Sequence, residues 1–82
     1  MQESTARVVE AARALAAEGS QVTTRQAFER AGYELRRRPG AGPMSCGREV
    51  FRNGRRIAYT RNAYEATAWL VQLGKRIERK MK

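Results

Sequence analysis

Histidine and aspartate are absent from the 82-residue chain, and cysteine occurs once. Without them no ordinary zinc site can be assembled in one chain, and a histidine-based nucleophilic triad is excluded. An enzyme would have to work with Glu, Tyr, Lys or the lone Cys46, so the expectation is a non-enzymatic protein with no metal and no cofactor. One cysteine makes no internal disulfide, which fits a reducing cytoplasm. Long hydrophobic runs are missing too. The uncharged apolar stretches fall far short of the roughly 20 residues that cross a bilayer, and no charged-then-apolar secretory pattern opens the sequence. Aromatic residues amount to only 7%. A chain this short with so few large apolar side chains has a thin core, which points toward one small domain and toward self-association as a homodimer.

What the chain has in abundance is positive charge. Lys and Arg number 17 against 8 acidic residues, all glutamate, for a net +9 and a pI near 11.1. The excess is one-sided. Residues 1–31 balance Arg7, Arg13, Arg25 and Arg30 against Glu3, Glu10, Glu18 and Glu29, so the whole surplus lies in residues 32–82. A neutral half joined to a basic half reads as a packing scaffold that carries an electrostatic face. Most of the basic residues are arginine, whose planar fork suits phosphate and guanine edges. A polyanionic partner is therefore favoured over mere solubility.

Periodicity divides the chain into a helical pair (1–32), a sheet (33–61) and a basic C-terminal helix (62–82), an α+β domain. Ser4 or Thr5 is expected to cap a first helix reaching about Glu18, with Val8, Ala11, Ala12 and Leu15 at helical spacing and Gly19 as its stop. Thr23 and Gln26 have capping-box spacing for a second helix over Thr24–Ala31, closed by Gly32. Together they form a helical hairpin or the opening of a helix-turn-helix. Tyr33 to Arg38 then alternates as a strand, and a loop runs from Pro39 through Gly47. Asn53-Gly54 is the preferred pair for a type I′ hairpin turn. Counting outward pairs Arg52 with Arg55, Phe51 with Arg56, Val50 with Ile57 and Arg48 with Tyr59, which puts Val50, Ile57 and Tyr59 on one face. Asn62-x-x-Glu65 opens the last helix, whose Ala66, Trp69, Leu70, Leu73 and Ile77 are expected to cover the hairpin. Gly74 is expected to loosen or shorten that helix.

Three constellations carry the functional reading. The first is the arginine cluster Arg36, Arg37, Arg38, Arg48, Arg52, Arg55, Arg56 and Arg61, extended by Lys75 and Arg76. Arginine and lysine on phosphates supply most nonspecific nucleic-acid affinity, and the crowding of like charges at the hairpin tip is costly unless an anion compensates it. The second is the start of the second helix, where Arg25 and Gln26 read either as base contacts or as parts of a capped packing helix. The third is the aromatic set Tyr33, Phe51, Tyr59, Tyr64 and Trp69. Tyr59 and Trp69 read as core, with Phe51 on the opposite face as a candidate for base stacking. Cys46, flanked by Ser45 and Gly47, lies near arginines that would lower its pKa, but without a histidine partner it reads as incidental.

The order strand, strand, Asn53-Gly54 turn, strand, helix across residues 33–73, with Val50-Phe51-Arg52 before the turn and Tyr64 to Leu70 after it, resembles the small three-stranded-sheet-plus-helix modules of phage and mobile-element proteins. The arm-type DNA-binding domains of phage integrases are among them. That resemblance implies a sheet entering a DNA groove through Arg48, Arg52, Arg55 and Arg56. The favoured expectation is a duplex-DNA-binding regulatory or accessory factor of a phage or plasmid. The alternatives are a small inhibitor that docks on an acidic protein surface of a host or defence complex, and an RNA-binding protein.

Overall fold

A computed structural model describes residues 3–38 and 47–81. The elements run α1 (Glu3–Ala16), α2 (Thr24–Ala31), β1 (Glu34–Arg38), β2 (Gly47–Arg52), β3 (Arg55–Thr60) and α3 (Ala63–Met81). The strands form one antiparallel sheet in the order β1-β2-β3. The fold is α+β, two helices before the sheet and one after it, as the periodicity implies. Cys46 and the loop read from Pro39 onward lie outside the described residues, except for Gly47. That glycine is not loop: it opens β2 and pairs with Arg38.

Local chemistry explains most boundaries. Thr23 caps α2, with Gln26 N–H donating to Thr23 Oγ1 and Thr23 N–H donating to Gln26 Oε1, and Gly32 ends the helix at φ 91°. Asn53 and Gly54 sit at φ 54° and 77°, the left-handed pair that a tight hairpin needs. At α3, Glu65 N–H donates to Asn62 Oδ1, while the Glu65 carboxylate accepts from the backbone N–H of Arg61. Helix α1 differs from expectation at both ends. It already runs through Ser4 and Thr5, so neither is a flanking cap, and it stops at Ala16 rather than Glu18.

α2 and α3 lie against one face of the sheet, and α1 packs on those two helices. Phe28, Leu70 and Val50 are the largest fully buried side chains. Burying an aromatic or a large aliphatic side chain in this way stabilises the fold by about 1.5–3 kcal/mol each. Around Phe28, Trp69 stacks at 5.7 Å between ring centroids and Tyr33 meets both rings edge-on. A hydroxyl–hydroxyl bond of 2.8 Å between Thr24 and Thr67 ties α2 to α3. Only the first half of α3 covers the sheet side. Its second half lies along α1, where Gly74 faces Ala12 and Arg13 Nε donates to Glu78 Oε1 at 2.7 Å. Gly74 therefore does not loosen α3, which continues to Met81. The glycine lets two helices approach closely.

The hairpin departs from the simple count in one place. Arg52 pairs with Arg55 and Phe51 with Arg56, but Val50 then pairs with Ala58 and Arg48 with Thr60, leaving Ile57 as the extra residue of a bulge. One inserted residue reverses the alternation of everything beyond it. Ala58 and Thr60 thus turn to the core side, with Thr60 only 4% exposed, while Ile57 and Tyr59 are 45% and 50% exposed. The expectation that Ile57 and Tyr59 belong to the core is wrong for this reason. Phe51 does lie on the face opposite Val50.

Candidate nucleic-acid interface

Alternation along the strands divides the arginines between the two faces of the sheet. On the open face stand Glu34, Arg36 and Arg38 from β1, Glu49 and Phe51 from β2, and Arg56 and Tyr59 from β3. On the helix-bearing side, beyond the edge of the core, are Arg37 and Arg48, which face each other across β1 and β2. A common surface gathering every guanidinium group is therefore not what the fold builds.

The open face is organised by glutamates and aromatic rings. Arg36 Nε donates to Glu34 Oε1 at 2.9 Å and Nη2 donates to Oε2 at 3.2 Å. The same guanidinium lies 4.0 Å above the centroid of Phe51, the cross-strand partner of Glu34. The hydrogen bond from Arg36 holds the Glu34 carboxyl below its usual range, and the same bond raises Arg36. Arg56 Nη1 donates to Glu49 Oε2 at 3.1 Å. Arg38 stands 5.9 Å over the Tyr59 ring. The phenol end of Tyr59 in turn rests against Gly47: a Cβ there would fall 2.7 Å from Tyr59 Cε2 and would push the ring aside.

The tip solves its own repulsion. Arg52 leaves its partner Arg55 and places its guanidinium 5.7 Å from the centroid of Tyr33, while Arg56 turns to Glu49 on the other face. An external anion is thus not required to explain the crowding. A ring quadrupole and a carboxylate serve instead. Arg55 remains exposed at the turn.

The other candidate residues fall into two grooves and a cap. Arg25 of α2 reaches β1, where it lines a groove of about 500 Å³ with Glu29, Glu34, Arg36 and Arg37. Arg76 lines a second groove, about 470 Å³, between α3 and the free edge of β3, together with Tyr59, Thr60, Trp69 and Leu73. Lys75 is exposed on α3, and Arg61 follows β3 with its backbone N–H tied to Glu65. The carboxamide oxygen of Gln26 is committed to the Thr23 cap. Sequence reasoning passed over Glu34, Glu49 and Tyr59 as interface residues. The Glu34/Arg36 spacing of two, which puts both on one face of a strand, was the signal available for the first.

The geometry defines a class: a small three-stranded antiparallel sheet backed by helices, with an open face of aromatic rings and carboxylate-held arginines. No family model, characterised protein or solved structure matches the chain. Among the described residues no helix is long and apolar enough to cross a membrane.

Proposed function

We propose that the protein is a non-enzymatic, cytoplasmic DNA-binding factor of the regulatory or accessory kind that phages and plasmids carry. The observation that supports this most directly is the open sheet face. Arg36, Arg38 and Arg56 surround Phe51 and Tyr59 there, next to Arg55 at the tip, in the half of the chain that holds the entire net charge. Strand axes spaced about 4.8 Å apart let the two-stranded β2–β3 ribbon enter a major groove about 12 Å wide. Arg38, Arg52, Arg55 and Arg61 then serve as phosphate contacts around the rim of the sheet, and the open face meets the base edges.

Fluorescence anisotropy with a labelled random-sequence 20-base-pair duplex tests the reading. Four phosphate contacts give a log–log salt slope near −3.6, or about a 150-fold loss of affinity between 50 and 200 mM salt. No binding at low salt, or a flat salt response, overturns it. A second reading, an inhibitor docking on an acidic protein surface, draws on the exposure of Ile57 and Tyr59. A stable protein complex on pull-down without any duplex binding favours it, and preference for a folded RNA over duplex favours RNA binding. Sizing the protein alone and with the duplex reads out the homodimer.

A further inference from the structure

The most constrained cation on the open face is Arg36. Arg38 has one ring beside it and Arg56 has one hydrogen bond to a carboxylate. Arg36 has both a ring beneath it and a two-pronged carboxylate at its side. Glu34 takes the Nε and one hydrogen of Nη2, the lateral edge of the guanidinium. The terminal edge, Nη1 with the other hydrogen of Nη2, still has its donors for a ligand. That edge is the fork that matches O6 and N7 of guanine in the major groove.

We propose that Glu34 is a positioning residue that holds Arg36 over the Phe51 ring as a preformed guanine-reading fork. This rests on the DNA-binding reading above. The physical argument is one of order. A free surface arginine loses rotamer freedom when it binds, whereas one already fixed by a carboxylate and a ring has lost it in folding. A carboxylate on a face that meets phosphates is otherwise a liability, because it repels the polyanion. An exposed ion pair of this kind contributes little to stability, so stability alone gives weak reason for its place.

Two accounts of Glu34 differ in what Glu34→Gln does to sequence discrimination. If charge alone matters, removing the carboxylate strengthens binding and changes nothing else. If Glu34 positions Arg36, the variant loses sequence discrimination. The experiment is in vitro selection from a duplex library with a randomised 10-base-pair core, run on the parent protein, E34Q and R36K, with urea unfolding as a control for folding.

The expected result is a guanine-containing preference in the parent protein. R36K keeps the charge without the fork and loses that guanine. In E34Q the preference for the selected duplex over random duplex falls roughly tenfold, the scale of one bidentate base contact. An unchanged preference in either variant overturns the inference, as does a parent protein that binds duplex but selects no sequence. A parent protein that binds no duplex at low salt removes the DNA reading and this inference together, a result separable from the others by its lack of affinity.

Discussion

Replacing Gly74 by alanine tests how α1 and α3 are held. On a solvent-facing helix the change is favourable by about 1 kcal/mol, because alanine has the higher helix propensity. Here the new methyl group would lie well inside contact distance of Ala12 Cβ, with Ala12 Cα 3.8 Å and the Val8 carbonyl oxygen 4.0 Å away. None of these is the end of a flexible side chain that can swing aside. The helices must move apart, and overpacking of this kind costs about 1–3 kcal/mol. Set against the propensity gain, the net expectation is a loss of up to about 2 kcal/mol. For a domain of this size that is a fall in Tm of up to roughly 15 °C. Urea unfolding and thermal melts measure it directly. The double variant Ala12→Gly/Gly74→Ala removes the obstructing methyl group from the facing helix. It should therefore be more stable than the sum of the single losses, with a coupling of about 1–3 kcal/mol. If G74A instead raises Tm, or if the two changes are additive, the close approach of α1 and α3 is not what holds this interface.

Two further outcomes follow from single residues. Glu34 titrates below its ordinary range because Arg36 hydrogen-bonds the charged carboxylate. Its contribution to stability is complete above the unfolded-state glutamate value and is lost as pH falls through the lowered folded value. The urea midpoint of the parent protein should accordingly drop more than that of E34Q between pH 5 and pH 3, and parallel curves would contradict the pairing. At the turn, Gly54 sits at φ 77° in open space, so Gly54→Ala meets no clash. It should still lose about 1–2 kcal/mol from the left-handed backbone alone, read as a lower urea midpoint at unchanged slope.

Much of the architecture was legible because it is written in short-range chemistry. The Thr23/Gln26 box, Gly32, the Asn53-Gly54 pair and the Asn62 cap each depend on atoms within a few residues of one another, and helical spacing correctly picked Val8, Ala11, Phe28, Ala66 and Leu70 for the core. The reading of Tyr59 failed because alternation assumes an unbroken ladder, and nothing in the run Arg55 to Thr60 announces a bulge at Ile57. The reading of Gly74 failed because a helix glycine looks the same whether it faces water or another helix. The arginines were found as a set but not as an arrangement. Whether a guanidinium meets a glutamate, a ring or solvent depends on which strand lies beside it.

The amino-acid sequence by itself determined the elements, their caps and turn, and the concentration of positive charge in the second half, since propensity, capping and net charge are local or additive. Only the tertiary structure decided which face of the sheet stays open, which arginines share it, and that Glu34 and Phe51 meet around Arg36. Those are matters of register, and register is set by the packing of one face of the sheet against α2 and α3.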